Sequence, residues 1–262
     1  MVAEKMQGLY EREGLHANKC AVVTGGACGI GSATAKMLAK NGARVIIVDI
    51  NKEECEKVAN DILRLGGTAH CLEVDITSLE DIKQLVDFAS EEYGTVDILA
   101  NCAGVSRLTN LLDISEDEWD FVLDVNLKGV FLVSQKILEL MIKNKTKGSI
   151  VNVSSLAGKV GGLVVGAHYA ASKAGVIALT KTMARFAAQY GINVNALAPG
   201  AVRTEMIETW PKEVMDKFIS NVPLGRVAEP EEVSAIICFL VSPEARYITG
   251  EVVDVNGGAL MD

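Results

Sequence analysis

The sequence alternates between short apolar runs and longer helical patterns along most of its length. The first run, Cys20 to Thr24, precedes a helical pattern from about Ser32 to Lys40, and a second run follows from Ala43 to Val48. Strands that alternate with helices form a parallel sheet with helices on both faces. The sequence therefore predicts an α/β fold with a doubly wound parallel sheet.

The turn after the first run is rich in glycine, with the spacing G-x-x-x-G-x-G from Gly25 to Gly31. Glycine lets a ligand approach the backbone closely. The helix that follows points free N–H groups and the positive end of its dipole at the turn, which suits a pyrophosphate. We therefore expect a dinucleotide to bind here. The contact residues expected in the turn are Gly25, Cys28, Gly29, Ile30 and Gly31.

Asp49 ends the second apolar run, 18 positions after Gly31. A carboxylate at this place accepts hydrogen bonds from a ribose 2′-OH and repels a 2′-phosphate. No Lys or Arg lies inside the glycine turn, and none follows at Ile50 or Asn51. These features favour NAD over NADP as the cofactor.

Polar or turn-forming residues follow several of the predicted strands, at Asp49, Asp75, Asn101, Ser155 and Pro199-Gly200. Right-handed crossovers place the carboxyl ends of all parallel strands on one edge of the sheet, where ligands bind. We expect these distant residues to meet in one cleft.

Tyr169 and Lys173 are four residues apart in a helical pattern, so their side chains share one helix face. A free tyrosine has a pKa of about 10, and a nearby ammonium favours the phenolate. The pair is therefore expected to exchange a proton with an oxygen atom near neutral pH.

The order of these motifs resembles that of the short-chain dehydrogenase/reductase family, in its short, single-domain subgroup. The motifs are the glycine turn Thr24 to Gly31, Asp75, Asn101-Cys102-Ala103-Gly104, Asn126, Ser155, Tyr169-x-x-x-Lys173 and Pro199-Gly200. The resemblance implies a Rossmann-type sheet of about seven strands in the order 3-2-1-4-5-6-7. It implies one NAD(P)-binding domain over residues 19–262, after an N-terminal extension of residues 1–18.

Two departures from the family pattern are visible. Cys102 replaces the second Asn of the usual Asn-Asn-Ala-Gly, and the step from Ser155 to Tyr169 is one residue longer than in common members. The second departure leaves open whether Ser154 or Ser155 faces the substrate, although Ser155 matches the motif better.

The resemblance implies a role for each catalytic residue. Tyr169 transfers the proton, Lys173 lowers the pKa of Tyr169 and binds the nicotinamide ribose, and Ser155 holds the substrate oxygen. Asn126 positions a water that links Lys173 to solvent. The other implied cofactor contacts are Asp49, Ile50, Asp75, Ile76, Asn101, Ala103, Gly104, Pro199, Gly200, Val202 and Thr204.

The substrate is expected to contact Ser155, Leu156, Tyr169 and Met206. Two stretches should line its pocket or simply pack a lid onto the domain: residues 156–168, which are largely apolar, and residues 206–222, which are amphipathic. An apolar pocket suits an alicyclic, steroid-like or acyl alcohol. His70 and His168 are expected to be structural, because Tyr169 already fills the proton-transfer role.

These features predict an NAD-dependent oxidoreductase that interconverts a secondary alcohol and a ketone, with a hydroxysteroid, a polyol, a sugar or a similar alcohol as substrate. One alternative is a ketoreductase similar to 3-oxoacyl-acyl-carrier-protein reductases. An epimerase or dehydratase of the extended subgroup is disfavoured by chain length and glycine spacing. A non-catalytic NAD-binding regulator would tolerate loss of Tyr169, Lys173 or Ser155, and all three are present.

Composition narrows the choice of partners. The net charge is -9 with no basic tract, so neither nucleic acid nor an anionic membrane surface is an expected partner. The first 19 residues lack an apolar signal region, and no apolar stretch is long enough to span a membrane. The family resemblance suggests a homotetramer that pairs the helices 122–143 and 169–190.

The six cysteines show no metal-ligand spacing, so no metal is expected. Most lie in apolar runs, which indicates buried free thiols and a reducing cytoplasm.

Overall fold

The computed structural model describes residues 14–162, 164–208 and 210–261. The strands are β1 (Cys20–Thr24), β2 (Arg44–Asp49), β3 (Thr68–Glu73), β4 (Ile98–Asn101), β5 (Ser149–Val153), β6 (Asn193–Pro199) and β7 (Val252–Val255). In the described part of the chain they form one seven-stranded sheet in the order β3-β2-β1-β4-β5-β6-β7. Every neighbouring pair is parallel. The predicted fold class and strand order are confirmed.

Helices connect the strands. They are α1 (Gly29–Lys40), α2 (Lys52–Arg64), α3 (Leu79–Tyr93), α4 (Glu116–Leu123), α5 (Val130–Lys143), α6 (Ala157–Val160), α7 (Ala167–Ala187), α8 (Glu205–Glu208), α9 (Lys212–Ser220) and α10 (Pro230–Leu240). Short 3₁₀ turns cover Ala188–Tyr190 and Pro243–Ala245. In the described ranges, no helix has the length and hydropathy that crossing a bilayer requires.

The core has two halves, one on each face of the sheet. Along β1, Ala21 and Val23 pack into one half, with side chains of α1, α2 and α10. Cys20 and Val22 point the other way and pack with side chains of α3, α5 and α7. This alternation follows from the two-residue period of a strand, and it buries the sheet on both faces.

A π-helical segment, Asp124–Gly129, joins α4 to α5. The sequence predicts a short helix near Glu116 and a separate long one from about Val122. The structure instead has one nearly continuous helix. In its middle, the backbone hydrogen bonds span five residues, as in a π-helix, instead of the four of an α-helix. The interruption places Asn126 inside the molecule, where its side chain bonds to Val105.

The cysteine prediction is wrong for several residues. Cys55 on α2 and Cys71 on β3 form a disulfide, with their Cα atoms 5.7 Å apart. Cys28 is free but exposed, whereas Cys20 and Cys238 are buried free thiols as expected. The helix α2 packs directly on β3, which brings two distant cysteines together. The cytoplasmic location, inferred partly from free thiols, stays a prediction.

The N-terminal extension lies largely outside the described residues. Its last part, residues 14–18, forms a turn in which the His16 N–H donates to the Asn41 carbonyl at 2.8 Å. This bond fastens the turn to the end of α1.

Candidate active site

A cleft of about 560 Å³ opens at the carboxyl edge of the sheet. Nearly all the residues predicted to bind or react meet there. Those that line it are Gly25, Cys28, Gly29, Ile30, Gly31, Asp49, Ile50, Asp75, Ile76, Ala103, Gly104, Ser155, Leu156, Tyr169, Lys173, Pro199, Gly200, Val202, Thr204 and Met206. The convergence expected from the strand ends is therefore present in the structure.

The glycine turn occupies one end of the cleft, and its glycines are required by close packing. Gly25 has φ of +62°, and a Cβ there would lie 2.6 Å from the Ala103 Cα. A Cβ on Gly31 would lie 2.0 Å from the Gly25 carbonyl oxygen. Behind the turn, α1 begins with no side-chain cap from Cys28 and no acidic residue in its first turn. Its N-terminus is thus a positive end that suits an anion.

Asp49 stands in front of the glycine turn with both carboxylate oxygens oriented by backbone amides. Oδ2 accepts from the Ala27 N–H at 3.1 Å, and Oδ1 accepts from the Asn51 N–H at 3.0 Å. The side chain is therefore held at the end of β2, where it presents negative charge to the cleft.

Tyr169 lies in the first turn of α7, and its side chain points into the cleft beside Ser155. Burial raises the pKa of the Tyr169 phenol, and a hydrogen bond with the Ser155 hydroxyl acts in the opposite direction. The expectation that a neighbouring lysine would lower this pKa is thus not met in the protein alone. The reason is that burial raises the pKa by more than the hydrogen bond with Ser155 lowers it.

Lys173 is one turn further along α7 and is only 3% exposed. Its Nζ lies 5.8 Å from the centre of the Tyr169 ring and donates to the Val153 carbonyl at 2.9 Å. Burial lowers the pKa of Lys173 to about 8, so the side chain stays largely charged at neutral pH but gives up its proton more readily than an exposed lysine. The sequence showed the spacing of the pair, but not how deeply the pair is buried.

Asn126 supports the cleft from behind. Its Oδ1 accepts from the Val105 N–H at 2.7 Å, and its Nδ2 donates to the Val105 carbonyl at 2.9 Å and to the Ser172 hydroxyl at 3.1 Å. A Cβ on Gly104 would lie 3.2 Å from both Asn126 Oδ1 and Lys173 Nζ. The amide therefore fixes the strand-end loop that passes directly over the lysine.

Comparison with known proteins assigns the chain to a family. A family model described as enoyl-(acyl carrier protein) reductase matches residues 25–259. The chain is 43% identical over 243 residues to the 3-oxoacyl-[acyl-carrier-protein] reductase FabG of Thermotoga maritima, a match that covers 93% of this chain and 98% of the relative. A short-chain type dehydrogenase/reductase from Mycobacterium marinum superposes with a TM-score of 0.91 at 31% identity, over 98% of this chain and 99% of that one.

The chain belongs to the short-chain dehydrogenase/reductase family. A further relative is the (3R)-3-hydroxyacyl-CoA dehydrogenase of Canis lupus familiaris, 39% identical over 249 residues, which cover 92% of this chain and 96% of that protein. This short-chain dehydrogenase/reductase is therefore an oxidoreductase that acts on CH–OH groups of a small molecule and uses a nicotinamide cofactor.

Asn101 does not line the cleft of this dehydrogenase/reductase, although the sequence predicted that it contacts the cofactor. Its Nδ2 donates to the Ser134 hydroxyl at 2.9 Å and to Asn152 Oδ1 at 2.8 Å. Asn101 is 1% exposed, and its side chain lies between the sheet and α5. Asn101 thus ties the ends of two neighbouring strands together, which a motif alone does not reveal.

The two adjacent serines have different surroundings. The Ser154 hydroxyl is buried and donates to the Lys173 carbonyl at 2.8 Å, so it fastens β5 to α7. The Ser155 hydroxyl accepts from the Ala157 N–H at 3.1 Å and pairs with the Tyr169 side chain. This geometry favours Ser155 as the serine beside the substrate.

Several cleft residues were missed by the sequence analysis. Phe121 of α4 and Val125 of the π-helical segment also line the cleft, as do Val105 and Ser106. Helical periodicity separates buried from exposed faces, but it does not show which exposed face borders a cleft. Within the described ranges, no group of three or more His, Cys, Asp or Glu side chains is arranged to hold a metal ion.

Proposed function

We propose that the enzyme interconverts 3-hydroxyacyl and 3-oxoacyl thioesters with NAD as its cofactor. The observation that carries this proposal is the apolar wall of the cleft beside Ser155 and Tyr169. That wall consists of Phe121, Val160, Val164, Val165, Met206, Trp210 and Phe218. An acyl chain packs well on such a surface, whereas a polyol or a sugar leaves its hydroxyl groups without partners.

The relatives support the same substrate class. Their names specify a 3-oxoacyl thioester on a carrier protein and a 3-hydroxyacyl thioester on coenzyme A. Both names share one reacting unit, a secondary alcohol or ketone at the third carbon of an acyl thioester. They favour the ketoreductase alternative over the hydroxysteroid and polyol substrates first expected.

The site residues divide the chemistry as follows. The Ser155 hydroxyl orients the substrate oxygen. The Tyr169 phenolate takes the substrate's proton during oxidation, and the Tyr169 hydroxyl returns one during reduction. Lys173 holds its ammonium below this pair, and Asn126 keeps the overlying loop in place. The glycine turn, the N-terminus of α1 and Asp49 fit a dinucleotide. When bound, NAD supplies the hydride acceptor for alcohol oxidation.

An absorbance assay of NADH formation tests the substrate class. The panel contains both stereoisomers of 3-hydroxybutyryl-CoA and 3-hydroxyoctanoyl-CoA, the matching carrier-free thioesters, bile acids and polyols. We expect turnover with a thioester, and Ser155→Ala serves as the site-directed control. Turnover confined to bile acids would instead favour the alicyclic alternative, which also suits an apolar wall. Turnover confined to polyols would contradict an apolar substrate altogether.

Asp49 is the residue that we propose selects NAD. In Asp49→Ala, the dissociation constant for NAD is expected to rise by roughly tenfold to a hundredfold, because a charged hydrogen bond of about 1.5–3 kcal/mol is lost. Discrimination against NADP should relax, since the carboxylate that repels a 2′-phosphate is gone. Fluorescence titration with NADH and NADPH measures both effects.

The matched control for Asp49 is Glu73→Ala. Glu73 is exposed and lies opposite Asp49 in the β2–β3 register. The substitution therefore removes one negative charge, as Asp49→Ala does, but from the neighbouring strand. Its cofactor preference should stay close to that of the wild type. Equal changes in the two variants would mean that general surface charge, rather than Asp49, selects the cofactor.

The predicted homotetramer remains part of the proposal. Ala171, Ala174 and Ala178 form an exposed stripe of small residues on α7, and the large side chains Phe131 and Phe186 are also exposed. Small residues allow close helix approach between subunits. Light scattering coupled to size-exclusion chromatography gives the mass directly, and a monomer would reject this part.

A further inference from the structure

A buried histidine lies directly before the reacting tyrosine. His168 has no exposed surface. Its Nδ1 accepts from the Tyr169 backbone N–H at 3.0 Å, and its Nε2 lies 2.8 Å from Glu118 Oε1. A backbone N–H only donates, so Nδ1 must be the unprotonated nitrogen. The ring proton is therefore on Nε2, which donates it to the Glu118 carboxylate.

This imidazole takes the place of a helix cap. The first N–H groups of a helix have no partner inside the helix, and an N-cap side chain usually accepts from one of them. The N-cap of α7 is Gly166, which has no side chain to offer. His168 instead accepts from the amide of Tyr169 itself, which is the residue whose position matters for proton transfer.

The local sequence makes room for the ring. A Cβ on Gly166 would lie 2.3 Å from His168 Cε1 and 2.6 Å from His168 Nδ1. Any other residue at this position would push the imidazole away from the Tyr169 amide. The indole of Trp119 stacks on the ring, with centroids 6.5 Å apart and planes inclined by 24°.

Glu118 is itself held in place. Its backbone N–H donates to the N-cap hydroxyl of Ser115 at 3.2 Å in the first turn of α4. Hydrogen bonds from Thr109 and then from His168 lower the pKa of the Glu118 carboxyl. Since α4 continues into the segment that carries Asn126, the Glu118–His168 pair links that segment to the first turn of α7.

We propose that His168, oriented by Glu118, is a positioning residue that fixes the backbone of Tyr169 so that its hydroxyl meets Ser155 and the substrate oxygen. The proposal rests on the role of Tyr169 in the proposed function, but not on the identity of the substrate. Displacing a reacting group by even 1 Å reduces the rate steeply.

Two substitutions distinguish the effects of the two hydrogen bonds that the His168 imidazole makes, with the Tyr169 N–H and with Glu118. In His168→Asn, the amide oxygen replaces Nδ1 as the acceptor for the Tyr169 N–H, while the bond to Glu118 is lost. In His168→Gln, the longer side chain reaches Glu118 but leaves the Tyr169 N–H without its acceptor. His70→Gln is the matched control, because His70 lies on β3 against the rings of Phe88 and Tyr93.

We expect kcat to fall at least about tenfold in His168→Gln and by no more than about threefold in His168→Asn. The dissociation constant for NADH should stay within about twofold of wild type in both, because neither change touches the cleft. The pH profile of kcat should move only in His168→Gln, since a misplaced Tyr169 loses the surroundings that set its titration. His70→Gln should change none of these quantities.

Hydrogen exchange gives a readout that needs no substrate. By mass spectrometry, the peptide that covers the first turn of α7 should exchange faster in His168→Gln and at the wild-type rate in His168→Asn. If no thioester is turned over, the kinetic comparison is made with whichever alcohol is, and the exchange result stands in either case.

Equal kinetics and equal exchange in the two variants would overturn the proposal. So would an unchanged kcat in His168→Gln. Should His168→Gln fail to fold, the variant Glu118→Ala tests the positioning role instead. Glu118 is 25% exposed, and its removal takes away the carboxylate that holds the His168 ring at Nε2. A lowered kcat with unchanged NADH binding is then expected, and an unchanged kcat would reject the positioning role.

Discussion

Replacing Tyr169 with phenylalanine is expected to reduce turnover by at least about a thousandfold, within the range that a positioned proton carrier contributes. The hydroxyl lies beside Ser155 in the cleft, and phenylalanine keeps the buried ring while it removes only that oxygen. NADH binding should change little, because the glycine turn and Asp49 are untouched. Steady-state kinetics and fluorescence titration measure the two quantities on the same preparation.

A second substitution shows whether the loss is specific to proton transfer. Ser155→Ala removes the partner hydroxyl but keeps the tyrosine, so we expect a smaller loss, of about a hundredfold. More than a tenth of wild-type turnover remaining in Tyr169→Phe would mean that the proton moves by another route. A similar loss of NADH binding would mean instead that the ring hydroxyl holds the cofactor.

The gathering of site residues was predictable because it follows from topology, whereas the strand order was implied by the family resemblance. Parallel strands with right-handed crossovers must present Asp49, Asp75, Ser155 and Pro199 at one edge, and the structure places all four in the cleft. Such predictions need only the position of each residue in its strand. They do not depend on how neighbouring side chains pack.

One element was missed although its signal was present. Helix α10, which fills the core beside α1, was not among the elements predicted from the sequence. Its start carries Pro230 in the first turn and a capping box between Glu229 and Glu232. Both are recognisable signs of a helix N-terminus.

Other features depend on packing and had no local signal. The Cys55–Cys71 disulfide requires the contact between α2 and β3. The inward turn of Asn101 depends on Ser134 and Asn152, which are distant in sequence. The raised pKa of Tyr169 follows from burial, whereas the spacing to Lys173 shows only that the two side chains share a helix face.

The burial of Lys173 leads to a second large effect, on stability as well as activity. A fall in its pKa from 10.5 to about 8 corresponds to roughly 3 kcal/mol, since one pKa unit is worth about 1.4 kcal/mol. At neutral pH the folded protein therefore carries a destabilising buried charge.

Lys173→Met keeps the length of the side chain without the charge. We expect it to raise the free energy of unfolding by about 1–3 kcal/mol at pH 7 and to lower kcat by at least about a hundredfold.

The pH dependence of the free energy of unfolding shows whether the buried charge of Lys173 is the cause of the stability difference. Below pH 8 the lysine is charged in both states, whereas between about pH 8 and 10.5 it is neutral when folded and charged when unfolded. Unfolding then takes up a proton, so wild-type stability gains from this residue as pH rises. The advantage of Lys173→Met should accordingly be largest at pH 7 and shrink towards pH 10, as measured by urea denaturation at both values.

Lys181→Met, an exposed change on the same helix, should shift stability by less than about 0.5 kcal/mol at either pH. A Lys173→Met protein less stable than wild type at pH 7 would show that the bond to the Val153 carbonyl outweighs the cost of burying the charge.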